Sequence, residues 1–176
     1  MKKINKTLAL SIIFGCLISC AGLNQKIKER DIPWEVDMGI NYLGDRSLVC
    51  NFTNKSDYEI TYLYLAFTMK PHIKEDKINS FYSYVIDYYD LCYEDQQRLY
   101  DEGLEMNSTF YSFNAEDNLK PGQSVEESLN YGIKFIYTMD YYELFRPDLL
   151  EIKFIDEDGV ECITYYDYIN KKYTNR

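Results

Sequence analysis

The chain contains one histidine, His72, and this limits the catalytic chemistry open to its side chains. A Ser-His-Asp or Cys-His pair would have to use His72, which follows Pro71 where a predicted strand ends. A lone histidine in such a loop is more often a solvated surface residue. Histidine-based zinc sites need several imidazoles, and no HExxH, Walker or glycine-rich phosphate motif occurs. We therefore expect no catalytic residues, no metal and no cofactor.

Carboxylates are the remaining acid and base groups, and the chain has 29 of them. A glycosidase-like acid pair therefore stays an open alternative, although close pairs mean little among so many acids. Asp156-Glu157-Asp158-Gly159 is similar to the start of a calcium loop, but the rest of the twelve-residue pattern and its bidentate glutamate are missing. Asp158-Gly159 favours the tip of a hairpin instead.

The first twenty residues have the layout of an export signal. Lys2, Lys3 and Lys6 form a short basic region, and residues 7–18 are an uncharged, mostly apolar run of 12 residues. A spanning helix needs about 20 apolar residues, so the run suits a secretory signal better. An uncleaved anchor is the alternative, because no charge occurs in residues 7–25.

Leu17-Ile18-Ser19-Cys20 resembles the lipobox of bacterial lipoproteins, with a branched apolar residue at −3 and a small residue at −1 before the cysteine. In that family the thiol receives a diacylglycerol and the signal is cut just before it. The resemblance implies a signal peptide over residues 1–19, lipidation (including palmitate) at Cys20, and membrane attachment in the bacterial cell envelope. Ile18 is less usual at −2 than Ala or Ser, and the bulky Phe14 disfavours Cys16 as the acceptor.

The other three cysteines, Cys50, Cys92 and Cys162, would remain after cleavage. An oxidising envelope allows one disulfide and one free thiol. Three buried, reduced cysteines are the interpretation that we favour. No CxxC spacing occurs, so the sequence indicates neither a zinc site nor a redox motif.

Composition and charge exclude further classes of protein. Hydrophobic residues make up 46% and aromatic residues 16% of the chain, which argues against disorder. Without residues 1–19 the chain has 16 bases against 29 acids, a net charge of −13. Such an acidic surface repels phosphate backbones, so we expect no nucleic-acid partner. Net charge also predicts no attraction to anionic lipid headgroups.

Tyrosine, at 19 of 176 residues, provides the candidate binding residues. Six tyrosines lie within residues 73–103. Exposed tyrosine is a large, stiff, amphipathic contact residue, although most tyrosines are explained by packing on strands and half-buried helix faces. We place a candidate site for binding a protein or glycan of the envelope at Tyr82, Tyr89 and Tyr93.

Strand patterns dominate the remainder of the chain. Residues 34–42 alternate between apolar and polar for nine residues, as in a half-buried strand. Residues 58–69 have two apolar faces, which predicts a central strand. Residues 149–155 and 160–168 are expected to form a hairpin. Other strands are predicted around residues 48–52, 109–113, 125–131 and 134–138, with a loop or helical turn over residues 139–148 that ends at Pro147.

Residues 73–103 interrupt the strand pattern. Apolar side chains share one side of a 3.6-residue helix, and Gly103 suits the position after a helix C-terminus. We predict one helix over about residues 80–102, which leaves the three candidate tyrosines pointing away from the core. A strand over residues 81–89 is the alternative for its first half, because the β propensity of these residues is high. The residues on the predicted core side are Phe81, Val85, Tyr88, Cys92 and Leu99.

About seven strands and one helical insertion predict a mostly β fold, a single antiparallel β-sandwich. An open α+β domain is the alternative. The turns at residues 54–57 and 119–122 and the hairpin over residues 152–159 resemble those of small Ig-like modules in bacterial envelope lipoproteins. That resemblance implies an Ig-like sandwich without shared catalytic residues.

We divide the chain into a signal peptide (1–19), a tether (20–33), a β-sandwich domain (34–169, with a helical insertion at 73–103) and a polar, fraying tail (170–176). The expected function is that of a lipid-anchored envelope protein acting as a non-catalytic binding or structural module. A carboxylate-based envelope hydrolase is the alternative.

Overall fold

The computed structural model describes residues 25–103, 106–131, 134–135 and 139–174. The described residues form a mostly β fold of two antiparallel sheets with a helical insertion, as predicted. The strands, in chain order, are β1 (Trp34–Ile40), β2 (Arg46–Thr53), β3 (Glu59–Met69), β4 (Met106–Tyr111), β5 (Ser124–Ser128), β6 (Asn130–Tyr131), β7 (Lys134–Phe135), β8 (Phe145–Ile155), β9 (Glu161–Asp167) and β10 (Lys172–Thr174).

The smaller sheet has the strand order β1-β2-β5, and the larger sheet has the order β10-β9-β8-β3-β4-β6-β7. Both sheets contribute to one cluster of buried side chains. Because side chains alternate along a strand, each sheet can bury one side. The predicted inner side of β2, consisting of Leu48, Cys50 and Phe52, is fully buried.

The predicted central position of β3 is confirmed, because β3 pairs with β8 on one side and β4 on the other. Leu63 lies opposite Ile152 of β8 and Phe110 of β4, and all three side chains are buried. Tyr62 and Tyr64 alternate with these inner residues and therefore lie on the outer side of the larger sheet.

The predicted helical turn is confirmed as a 3-10 helix over Met139–Leu144, but its predicted end at Pro147 is wrong, because β8 begins at Phe145 and includes Pro147. The register shifts beside the proline: Ala66 pairs with Leu149, but Phe67 pairs with Pro147. Asp148 is the extra residue of this bulge, and bulges are where a sheet tolerates a residue that lacks an N–H donor. The carbonyl of Asp148 accepts a hydrogen bond from Tyr168 N–H at 2.8 Å.

The insertion consists of two helices, α1 (Glu75–Tyr89) and α2 (Tyr93–Glu102), not the single helix predicted. Asp90 ends α1 in the left-handed conformation, with φ 50° and ψ 51°, which aspartate tolerates better than most residues. The predicted burial holds for Phe81, Val85 and Leu99. It is wrong for Tyr88, which is exposed in the last turn of α1, and for Cys92, which is exposed because the predicted helical side does not continue past the break.

Residues 25–33 pack on the domain, so their interpretation as a tether is wrong. Ile27 and Ile32 are both 0% exposed and belong to the shared core. Gln25 Nε2 donates to Thr164 Oγ1 at 3.1 Å. Lys26 Nζ lies 3.0 Å from the carboxylates of both Asp156 and Glu157. The polar composition of residues 25–33 did not indicate that Ile27 and Ile32 would be buried, because their burial depends on tertiary contacts.

The prediction of a fraying tail is wrong for the residues that form β10. This three-residue strand pairs with β9, with Tyr173 opposite Tyr166. The Tyr173 hydroxyl accepts a hydrogen bond from Glu29 N–H at 3.0 Å and donates one to the Glu29 carboxylate. The strand therefore also holds the segment that precedes β1.

The predicted burial of the three cysteines holds only for Cys50. All three thiols are free, but Cys92 is exposed and Cys162 is half-buried. No helix among the described residues is long and apolar enough to cross a membrane. The predicted signal peptide over residues 1–19, which includes Cys16, lies outside the described residues, as do the predicted lipidation site Cys20 and residues 21–24 of the predicted tether.

Gly39 in β1 occupies a position with no room for a side chain. A Cβ atom there would lie 2.6 Å and 2.8 Å from the two methyl groups of Val49, and 2.9 Å from Glu126 Oε1. We expect Gly39→Ala to lower the free energy of unfolding by about 2 kcal/mol, because β1 and β2 must separate to relieve the overlap. Urea denaturation measures this change. The exposed Glu35→Ala in the same strand is the control, and equal midpoints for the two variants would contradict the prediction.

Candidate functional site

The residues considered for catalysis do not form a recognisable centre. His72 is exposed and follows β3 with a φ of 64°. Among the described residues, no group of three or more His, Cys, Asp or Glu side chains is arranged to hold a metal ion. At the β8–β9 turn, Asp156 Oδ1 accepts the N–H groups of Asp158 at 3.0 Å and Val160 at 2.8 Å. The motif that is similar to a calcium loop therefore stabilises a hairpin tip.

The structure does not bring the three candidate tyrosines of the insertion together. Tyr82 is only 7% exposed, and its hydroxyl lies 3.6 Å from Met69 Sδ. Tyr89 is half-buried, and Tyr93 is 75% exposed on the other helix. The prediction of Tyr82 as a surface residue is wrong, because the buried side of α1 is wide enough to include both Phe81 and its neighbour. One joint surface of Tyr82, Tyr89 and Tyr93 is therefore excluded.

A different set of tyrosines lies together on the outer side of the larger sheet. Tyr62 of β3 is opposite Tyr111 of β4, and Tyr64 and Tyr165 flank Glu151 of β8 from either side. Residues directly opposite one another in adjacent strands share one side of the sheet. We call this surface the tyrosine face, and it consists of Tyr62, Tyr64, Tyr111, Tyr165, Glu151, Lys153, Ile163 and the adjoining Phe113.

The rim of the tyrosine face is highly exposed. Phe113 is 85% exposed and Tyr111 is 54% exposed, and their rings meet edge to face with centroids 4.8 Å apart. Ile163 of β9 lies at the opposite edge of the same face and is 48% exposed. Large apolar groups in water are costly, so a row of them with polar neighbours is typical of a contact surface.

The centre of the tyrosine face contains one pair of opposite charges. Lys153 Nζ lies 4.6 Å from the centroid of the Tyr62 ring and 3.7 Å from Glu151 Oε1. Partial burial, and then the negative charge of Glu151, raise the pKa of Tyr62, so its hydroxyl remains a hydrogen-bond donor. The face therefore combines flat rings with a donor, a cation and an anion.

Sequence reasoning missed this surface. The alternation of Tyr62 and Tyr64 with buried leucines was a signal that both tyrosines share one side of a strand. Nothing in the sequence indicated that Tyr111 and Tyr165 would be placed beside them, because this depends on the order and register of four strands.

An open cavity of about 480 Å³ lies at the β8–β9 turn, lined by Asp57, Tyr58, Glu59, Ile155, Asp156 and Glu157. Hydrogen bonds from Val160 N–H and Lys26 lower the pKa of Asp156 to about 2. Hydrogen bonds from its own N–H, Lys26 and Tyr58 lower the pKa of Glu157 to about 2. A hydrolytic pair needs one carboxyl that keeps its proton, so these two carboxylates suit binding of Lys26 rather than acid catalysis.

Glu127 of β5 is a carboxyl group whose pKa is raised. Burial raises the pKa of Glu127 to about 7. The residue lies opposite Cys50 of β2, and burial followed by the charge of Glu127 raises the pKa of that thiol. An acid that titrates near neutral pH inside the domain makes stability depend on pH.

We expect Glu127→Gln to stabilise the protein at pH 8 by about 1 kcal/mol, after allowance for screening by solvent. The folded carboxyl has a pKa of about 7 against 4.5 for the unfolded reference, so the folded state binds more protons between these values. Stability from this group is complete below pH 4.5 and is lost as pH rises through 7. The variant should therefore show little gain at pH 5. Glu126→Gln, at the exposed neighbour, is the control in urea titrations, and an equal gain at both pH values would refute the assignment.

Comparison with known proteins identifies no relative of this chain. No protein-family model matches it, and neither does any curated protein or solved structure.

Proposed function

We propose that the chain is a lipid-anchored protein of the bacterial cell envelope and acts there as a non-catalytic binding module. The lipobox-like sequence ending at Cys20 supports the anchor. The tyrosine face is the observation that carries the binding role, and its ligand is a protein or glycan of the envelope. The attachment is to the inner or the outer membrane.

The proposed architecture is an Ig-like β-sandwich. Two antiparallel sheets contribute side chains to one core, which supports this arrangement. Such a scaffold is rigid, and rigid scaffolds commonly present binding residues on their surfaces.

The chemistry of the tyrosine face suits adhesion. Its four strands span about 14 Å between the outer two, which is wide enough for several side chains or sugar rings of a ligand. Tyrosine rings provide contact area at a low cost in conformational entropy, and their hydroxyls orient a polar ligand. Aromatic residues of this kind dominate the binding energy of many interfaces.

The carboxylate-based hydrolase is the weaker proposal. The two carboxylates in the open cavity, Asp156 and Glu157, have pKa values shifted in the same direction. Glu127, whose pKa is about 7, belongs to β5 and is not among the residues that line that cavity.

The anchor is tested by Cys20→Ala. Wild-type protein extracted from membranes should have acyl chains on Cys20 by mass spectrometry, and the variant should appear as an unacylated soluble form. An unchanged membrane-bound precursor would instead indicate an uncleaved anchor.

The binding role is tested with a photoreactive amino acid placed at Tyr111 or Phe113 in intact cells. Tyr93, which is 75% exposed on the insertion, is the matched control position. We expect one defined adduct from the tyrosine face and none from Tyr93, and we expect Tyr62→Ala to weaken it. Adducts from Tyr93 alone would indicate that the binding site lies on the helical insertion. If no position gave an adduct, the proposed binding role would be refuted.

A further inference from the structure

Basic residues are concentrated beside the segment that leads to the proposed anchor. Five of the 16 bases that remain beyond residue 19 lie within residues 26–30 and 171–172. These two stretches are far apart in sequence but adjacent in space, because Tyr173 is hydrogen-bonded to Glu29. We call this surface the basic edge, and it consists of Lys28, Arg30, Lys171 and Lys172.

The cations and the acids at the basic edge differ in their exposure to solvent. Its four cations are exposed, and none of them forms an ion pair within the described part of the chain. The neighbouring acids are half-buried, and each accepts a hydrogen bond from a nearby group: Glu29 from Tyr173, Asp31 from Lys28 N–H at 2.9 Å, and Asp167 from Asn170 at 2.7 Å. The cations are therefore more exposed than the acids beside them, although the chain as a whole is acidic.

The chain length between the anchor and the fold limits where the membrane can be. Five residue steps separate Cys20 from Gln25, so the two Cα atoms are at most about 18 Å apart. Gln25 is held to Thr164, and Lys26 is held to Asp156 and Glu157. An acylated Cys20 consequently keeps Gln25 and Lys26 near the headgroups, whatever path residues 21–24 follow. Lys28 and Arg30 of the basic edge come directly after them in the chain.

We propose that the basic edge contacts the anionic headgroups of the membrane to which the protein is attached. This inference rests on the proposed lipidation of Cys20. Each cation near an anionic surface strengthens association about fivefold, and this attraction acts over about 8 Å at physiological salt. The anchor brings the edge to the bilayer, and the four cations then fix its orientation.

The contact between the basic edge and the membrane determines the direction in which the tyrosine face points. The basic edge lies at β10, which is the outermost strand of the larger sheet. A sheet that stands on its edge strand has both sides directed along the membrane rather than into it. The tyrosine face is then open to a partner attached to the same membrane.

Lysine footprinting on vesicles tests the contact directly. A chain beginning at Cys20 contains every residue of both sheets, and Cys92→Ser with Cys162→Ser leaves Cys20 as its accessible thiol. Coupling Cys20 to a maleimide lipid attaches the domain without depending on lipidation in cells. We expect an amine-reactive reagent to modify Lys28, Lys171 and Lys172 about fivefold more slowly on phosphatidylglycerol vesicles than on phosphatidylcholine vesicles. The exposed Lys74, Lys77 and Lys120 should react equally on both.

Variants that remove the positive charges of the basic edge provide a second test. Lys28→Gln, Arg30→Gln, Lys171→Gln and Lys172→Gln together should abolish sedimentation of the uncoupled chain with phosphatidylglycerol vesicles in low salt. Lys55→Gln, Lys74→Gln, Lys77→Gln and Lys120→Gln together are the matched control, with near-ultraviolet circular dichroism to show that both variants fold. Equal footprints on the two vesicle types would overturn the proposed contact and leave the anchor standing. Absence of acyl chains on Cys20 in cells would overturn the anchor, while the coupled chain still decides the contact.

Discussion

Ile27→Ala is expected to lower the free energy of unfolding by about 3 kcal/mol. Ile27 precedes the first strand by seven residues, yet its side chain is 0% exposed and lies in the core shared by the two sheets. Truncation to alanine removes buried apolar contacts and leaves a cavity that the rigid strands around it cannot fill completely. Urea denaturation followed by tyrosine and tryptophan fluorescence measures the change.

Ile40→Ala is the matched control, because Ile40 is 55% exposed at the end of β1. The control should change stability by no more than about 0.5 kcal/mol. If Ile27→Ala were as mild as Ile40→Ala, residues 25–33 would be the tether that the sequence indicated.

Asn54→Ala is expected to cost about 3 kcal/mol as well, for a different physical reason. The Asn54 side chain is 0% exposed, and its amide group donates to the carbonyls of Tyr58 at 2.8 Å and Leu119 at 2.9 Å. Its carbonyl oxygen accepts from Ser56 N–H at 3.0 Å and Ser56 Oγ at 2.7 Å. Alanine leaves these buried polar groups with unmade hydrogen bonds, and each such group costs about 1 kcal/mol or more.

Asn114→Ala is the control for this variant, because Asn114 is exposed and bonds only within its own turn. Its effect should be below about 1 kcal/mol. Hydrogen exchange locates the damage: Asn54→Ala should speed exchange at Ile60 and Leu119, which pair as an isolated bridge. Unchanged exchange at that bridge would show that the loop is held by other contacts.

Local patterns were sufficient for the strands that carry the core. The alternation of residues 34–40 and the two-sided apolar character of β3 both follow from how side chains project from a strand. The hairpin turn after β8 likewise depends on local chemistry, since Gly159 adopts a φ of 76° that other residues avoid.

The elements that sequence reasoning missed depend on distant partners. β10 is three residues long and exists because β9 and Glu29 provide its hydrogen bonds. Pro147 joins β8 because a bulge opposite Phe67 accommodates it. The break at Asp90 divides one apolar helical pattern into two helices. Local propensity is a weak guide wherever tertiary contacts decide.

The candidate binding residues show the same limit. Helical periodicity identified the buried Phe81 but misplaced Tyr82 beside it, because the width of a buried side is set by the structure that packs against it. The tyrosine face required the register of four strands, and no spacing along the chain predicts that register.

The contacts of residues 25–33 also have a consequence for the order of folding. Gln25 bonds to a residue 139 positions further along, and Glu29 bonds to one 144 positions further along. Contacts between such distant residues close very large loops, and folding rates fall as the mean sequence separation of contacts rises. In a chain that emerges N-terminus first, the segment from Gln25 to Glu29 lacks these partners until β9 and β10 have emerged. Docking of this segment is therefore one of the last steps of folding, and a chaperone that covers Ile27 in the meantime would protect the nascent domain from aggregation.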